Sequence, residues 1–138
     1  LNDFTNIFLK FKIQEVLIDL DQTTFSWKNY FNFNFINSLI YVKDGKLILD
    51  ASTQINISNI DGVYKFLLTP KKFRKKINTI NINFTYSFDE KIININNIKV
   101  DDKNLNNILS NIYLKDDNLQ NKIYFKNLLN GLMKDYAG

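Results

Sequence analysis

From Ile80 to Phe88 apolar and polar side chains strictly alternate: Ile80, Ile82, Phe84, Tyr86 and Phe88 are separated by Asn81, Asn83, Thr85 and Ser87. A period of two is that of a β-strand, and it places all five apolar side chains on one face. Asp89-Glu90-Lys91 reads as a turn, after which Ile93, Ile95, Ile98 and Val100 return. The step from Ile95 to Ile98 breaks the alternation at Asn96-Asn97, and a β-bulge there restores the apolar face. Upstream, the apolar runs of 39–42 and 47–49 flank Asp44-Gly45, the pair that supplies the positive φ angles of a type I′ hairpin turn. Both faces of that hairpin carry apolar residues, so it is expected to be covered at least in part on both sides. Two further strands are predicted at 11–20 and at 53–58, the latter with Ile55 and Ile57 in alternation.

Helical spacing marks three other stretches. Val63, Phe66 and Leu67 stand at i, i+3, i+4, with Ser58 or Asn59 as the cap and Pro70 as the stop. From Lys103 onward Leu105, Ile108, Leu109 and Ile112 repeat the pattern behind Asp101 or Asp102 as cap. From Asn121 onward Phe125, Leu128, Leu129, Leu132 and Tyr136 form an apolar stripe opposite Lys122, Lys126, Asn130 and Lys134. Phe4, Ile7 and Phe8 fit a short helix at the other end. With no regular β-α-β alternation, a parallel doubly wound sheet is disfavoured. The prediction is an α+β fold: an antiparallel, curved, groove-like β-sheet with three short-to-medium helices, two of them at the C-terminal end. A chain of 138 residues opening on Leu1 is read as a single β-rich segment of a larger protein. Within it, 1–34 would end a preceding groove unit, 35–100 would form the core sheet with a helix inserted at 60–69, and 101–138 would hold the C-terminal helices.

Composition narrows the chemistry. The chain has no histidine and no cysteine, which removes the commonest general base, the thiolate nucleophile and zinc sites built on those ligands. Its carboxylates fall chiefly at Asp19/Asp21, Asp89-Glu90, Asp101-Asp102 and Asp116-Asp117, where turns and caps account for them. Asp102-Lys103-Asn104-Leu105-Asn106 opens like a calcium loop, but Asn107 stands where the glycine belongs and Tyr113 where the bidentate Glu belongs. No enzyme activity, metal or cofactor is therefore expected. The net charge of +4 rests on lysine, with Arg74 the sole arginine, in an Asn-, Ile- and Lys-rich mixture that resembles the codon bias of an AT-rich genome. Lys71-Lys72-Phe73-Arg74-Lys75-Lys76 places five cations in six residues, which suits lipid headgroups or phosphates as well as a solvated loop. No nucleic-acid module surrounds it, and no nucleic-acid partner is expected. No run approaches the roughly 18 apolar residues of a membrane span, and no signal peptide is visible.

The apolar face of the predicted sheet then admits two readings: a core sealed by the helices of a scaffold domain, or a wall open to a ligand. Several features together resemble the C-terminal region of AsmA-like envelope proteins of Gram-negative bacteria. They are the Lys43-Asp44-Gly45-Lys46 hairpin leading into Leu47-Ile48-Leu49, and Ile60-Asp61-Gly62-Val63-Tyr64-Lys65-Phe66-Leu67 followed by Pro70 and the basic cluster. The strand at 80–88, the return at 91–100 and the ending Tyr136-Ala137-Gly138 complete the resemblance, which covers 35 onward. It implies a periplasmic segment of an inner-membrane-anchored protein, with lipid transport and outer-membrane assembly as the setting. The implied partners are phospholipid acyl chains, the rest of the parent chain and a protein of the outer or inner membrane. On that expectation Ile80, Ile82, Phe84, Tyr86, Phe88, Ile93 and Ile95 form the wall that touches lipid. Lys71, Lys72, Arg74, Lys75, Lys76, Lys126 and Lys134 would meet headgroups or a membrane surface.

Overall fold

The computed structural model describes residues 4–10, 12–14, 17–105, 113–115 and 121–138. In chain order its elements are β1 (Phe4–Phe8), β2 (Lys12–Gln14), β3 (Leu17–Asp19), β4 (Thr24–Trp27), β5 (Phe31–Lys43), β6 (Lys46–Ile57), α1 (Ile60–Leu67), β7 (Thr79–Ser87), β8 (Ile92–Val100), β9 (Lys103–Asn104), β10 (Tyr113–Lys115) and α2 (Lys122–Ala137). All ten strands belong to one sheet, ordered β1-β4-β5-β6-β7-β8-β10. The β2–β3 hairpin joins the second half of β5, and β9 pairs with the end of β8. Every pairing is antiparallel.

The hairpin read at Asp44-Gly45 is present: Lys43 pairs with Lys46, and the two turn residues take φ of 51° and 75°. The bulge lies where the broken alternation put it, since Asn83 faces Asn97 while the adjacent Phe84 faces Ile95, leaving Asn96 as the extra residue. A second bulge in β5 gives Ile36 to Leu39 one residue more than the facing Ser52 to Asp50. Ser38, fully buried, fills it: its hydroxyl donates to Ile36 and Ser52 carbonyls at 3.2 Å and accepts from the Ser52 N–H at 3.1 Å.

α1 starts at Asn59, whose side chain accepts from the Gly62 N–H at 2.9 Å, and ends on Leu68 in the left-handed conformation. Its entry is tied to the β4–β5 turn, because the Tyr30 carbonyl accepts from the N–H groups of Ser58 and Asn59. The Tyr30 ring lies directly over Gly62, where a Cβ would collide with it. α2 is capped by Asn121 and docks on α1 through Asn130, whose amide donates to the Leu67 carbonyl at 2.8 Å and accepts from the buried Thr69 hydroxyl at 2.6 Å. Tyr64, Ile77, Ile98, Val100, Leu105 and Met133 form the core beneath the two helices.

The expected fold class needs correction. Among the described residues there are two α-helices rather than three, and strands dominate the chain. The span read as a helix from Lys103 begins instead as β9, and its residues 106–112 lie outside the described residues. The start as a strand follows from Asp101, which caps no helix among the described residues. Its carboxylate accepts from the backbone N–H groups of Thr79 (2.9 Å) and Asn78 (3.0 Å), and its φ of 48° turns the chain back on β8. Leu105 then drops into the core. The Phe4, Ile7, Phe8 segment is likewise a strand, β1, because pairing with β4 sets Phe4 edge-on against Phe25. In such short segments tertiary partners override spacing. The strand expected over 11–20 is, within the described residues, the β2–β3 hairpin.

Two outcomes follow from these contacts. Gly62→Ala should lower stability by about 1–2 kcal/mol in denaturant unfolding, because overpacking against Tyr30 outweighs the better helix propensity of alanine. Burial pushes the Asp101 carboxyl up, but the Thr79 and Asn78 hydrogen bonds together hold it below its ordinary 3.8. The folded state therefore binds fewer protons than the unfolded one near that pH, so Asp101 stabilises above 3.8 and loses its contribution as pH falls through the lower folded value. The stability gap between wild type and Asp101→Asn, a residue that also tolerates positive φ, should narrow below about pH 4 in acid unfolding curves.

Candidate functional site

Cross-strand register builds one apolar face out of four strands, β5 to β8. Phe33 pairs with Ile55, Ile55 with Ile80, and Ile80 with Val100. The next row is Phe35, Thr53, Ile82 and Ile98, followed by Ala51, Phe84 and Ile95, and then by Ile40, Leu49, Tyr86 and Ile93. Val42 and Leu47 form the last row, where Phe88 donates its N–H to the Leu47 carbonyl. Directly paired residues of an antiparallel sheet point to the same side. All seven residues expected to line a wall are thus brought together on one surface. The opposite face carries Asn32, Asn34, Gln54, Asn56, Asn81, Asn83, Asn94 and Asn97.

This face is covered at one end and open at the other. Val100 is 4% exposed and Ile98 5%, under Tyr64 and Met133 of the two helices. Ile80, Ile82, Phe84, Tyr86, Ile93 and Ile95 are half-buried. At the far end Phe88 is 37% exposed, Leu47 39% and Val42 50%. The Phe88 ring leans edge-on against Tyr86, with 4.9 Å between centroids. Thr53 interrupts the apolar surface, and its buried hydroxyl has no hydrogen-bond partner among the described residues.

An aromatic track continues the same face across β4 and β5. Phe25 stacks on Phe33 at 4.3 Å, Phe33 meets Phe31 at 5.0 Å, Phe31 meets Trp27 at 4.9 Å, and Trp27 meets Phe66 of α1 at 4.8 Å. These residues were absent from the expected wall, although Phe31-Asn32-Phe33-Asn34-Phe35 shows the same alternation as 80–88.

The expected headgroup cations occupy separate settings. Lys71 and Lys72 sit exposed on a single 3-10 turn, Lys71–Phe73. Arg74 is half-buried: its Nε donates to the Thr69 carbonyl at 2.9 Å and its guanidinium lies 6.0 Å from the Tyr64 ring centre. The Tyr64 hydroxyl donates to the Lys75 carbonyl and accepts the Lys75 N–H, so the end of the basic stretch is pinned to the core. Burial pushes the Tyr64 phenol up, against the opposing pull of the Lys75 bond. Lys75 and Lys76 face Asp101, Asp102, Lys103 and Tyr136 across a shallow cleft of about 730 Å³. Lys126 projects over Phe66, and Lys134 is exposed on α2. Among the described residues no helix is long and apolar enough to cross a membrane.

Compared with known proteins, the chain matches no family model, no curated protein and no solved structure.

A buried hydroxyl without a partner is destabilising, and valine has nearly the same shape without it. Thr53→Val should therefore raise stability by about 1 kcal/mol, read as a higher denaturant midpoint with an unchanged slope.

Proposed function

We propose that this chain is a non-catalytic module that lays phospholipid acyl chains along its half-covered apolar face, lining or capping a groove in lipid transport. The observation that carries the proposal is the register from Val100 to Leu47: one apolar surface, interrupted at Thr53, sealed at the Ile98 end and left at 37–50% exposure around Phe88, Leu47 and Val42. An apolar patch that a folded chain leaves uncovered marks a site for a partner or ligand. Acyl chains suit it because each buried methylene contributes about 0.8 kcal/mol without demanding a fixed geometry. A chain without histidine or cysteine, whose Asp101 carboxylate holds backbone N–H groups, fits binding better than chemistry. A periplasmic setting within an inner-membrane-anchored parent is part of this proposal through the AsmA-like pattern alone, for which the comparisons give no support. The reading of the face does not depend on it.

The alternative, a scaffold whose face is ordinary core, explains the Ile98 end but not the Phe88 end. A photo-crosslinking amino acid placed at Tyr86 or at the neighbouring Thr85 separates the two. With the folded chain on vesicles of phosphatidylethanolamine and phosphatidylglycerol, lipid adducts are expected at 86 and not at 85. Absence of adducts at both positions would remove the lipid reading and leave the scaffold.

A further inference from the structure

Leu68 departs from the rest of the chain in two ways at once. Among the described residues eight other than glycine take a positive φ, and Leu68, at 59°, is the only one of them with an apolar side chain. It is also the most exposed of the described large hydrophobic residues, at 76%. The left-handed region crowds a Cβ against its own backbone, and a leucine in water gains nothing from burial. The position, one step past α1, is one that glycine commonly takes.

The turn holds Leu68 outward. Its N–H donates to the Lys65 carbonyl and the Thr69 N–H to the Tyr64 carbonyl, which closes the helix end. Its neighbours Leu67 and Thr69 are both buried. Thr69 is tied through both of its oxygens: the hydroxyl donates to Asn130 at 2.6 Å, and the carbonyl accepts from Arg74 Nε at 2.9 Å. The leucine between them is therefore directed to solvent by the bonds that fix its neighbours.

Charge around this turn has one sign. From Gly62 to Thr79 the chain carries six cations and no carboxylate. Three of them, Lys65, Lys71 and Lys72, are exposed and lie within four residues of Leu68. One protruding leucine among lysines falls far short of the roughly 800 Å² per partner that a stable protein interface buries. A bilayer surface asks for no such area, because apolar insertion and the attraction of lysines to anionic headgroups add together.

We propose that the turn after α1 docks on an anionic bilayer surface, with Leu68 inserted among the lipids and Lys65, Lys71 and Lys72 at the headgroups. This contact is separate from the acyl-chain reading of the sheet, since none of these residues belongs to the apolar face.

The chain has no cysteine, so Leu68→Cys can carry a nitrobenzoxadiazole label at that position alone. On vesicles of phosphatidylethanolamine and phosphatidylglycerol the emission of the label should shift to the blue, and on phosphatidylcholine alone it should not. The same label at Asn83→Cys, exposed on the Asn face, should stay unshifted on both. In vesicle flotation Leu68→Gly should bind the phosphatidylglycerol vesicles about tenfold more weakly. It should also unfold at a higher denaturant midpoint, because glycine relieves the strained φ. A role in the fold alone does not produce these opposite signs. Leu68→Phe, as strained as leucine, should bind at least as tightly as the wild type. Lys71→Gln/Lys72→Gln should lose about tenfold, a difference that disappears in high salt. A label at position 68 left unshifted by phosphatidylglycerol vesicles overturns the proposal, as does a Leu68→Gly chain that is less stable than wild type or binds equally well. A blue shift that grows with protein concentration in the absence of vesicles overturns it in favour of a second copy covering Leu68. Lipid adducts at position 86 report on the sheet face alone, so either reading can fail while the other stands.

Discussion

Side-chain parity is the constraint on which the rest of this structure depends. In a strand each residue reverses face, so one inserted residue sends every later side chain to the wrong side. β5 and β8 each contain such an insertion, at 36–39 and at Asn96, and each is absorbed by a bulge. Without the first, Ile40 and Val42 would join the Asn face; without the second, the Ile93–Ile95 pair and the Ile98–Val100 pair would lie on opposite sides. Burying one large aliphatic side chain contributes about 1.5–3 kcal/mol, so losing two outweighs the cost of one bulge. Ser38 lowers that cost in β5 by pairing the polar groups at the bulge.

Carboxylates at strand ends reinforce the same parity. Asp21 accepts the Asn37 N–H beside the β5 bulge, Asp89 accepts the Leu47 N–H at the open end, and Asp101 accepts those of Asn78 and Thr79 at the closed end. Each sits where a strand leaves the ladder and a backbone donor would otherwise lack a partner. Acidic groups thus hold the frame, and the chemistry left to the surface is apolar contact and lysine charge.

What the sequence made legible follows from how local each cause is. The 80–88 strand, the bulge at Asn96, the Asp44-Gly45 turn, α1 and α2 are each specified by residues within one element or one turn, and each stands as read. Phe31-Asn32-Phe33-Asn34-Phe35 is equally local, and the same period of two that holds at 80–88 places its three phenylalanines on one face. The helix expected at Phe4 and the helical start expected at Lys103 failed for another reason, while residues 106–112 of the latter span lie outside the described residues. Three or four apolar residues fit two periodicities, and the choice lay with Phe25 in one case and with Asp101 reaching Thr79 in the other. Arg74 read as a free cation because nothing nearby in sequence shows that the turn after α1 aims the Thr69 carbonyl at it. The apolar face was legible in the same way as the strands; its openness was not, since that depends on where two helices dock.

Lengths explain why the docking leaves an opening. β7 has nine residues and so runs about 30 Å, and the longer β5 and β6 extend the surface further. The eight residues of α1 span about 12 Å. α2 is longer, but the residues it gives to the core, Leu132, Met133 and Tyr136, come from its C-terminal half. Near its start Ile123 is 74% exposed. Neither helix can be slid towards Phe88 without uncovering Ile98 and Val100, because Asn130 locks the pair together at Leu67 and Thr69, and Tyr30 locks α1 to the sheet. The uncovered end is therefore a consequence of the same hydrogen bonds that close the core, and these two helices cannot cover it.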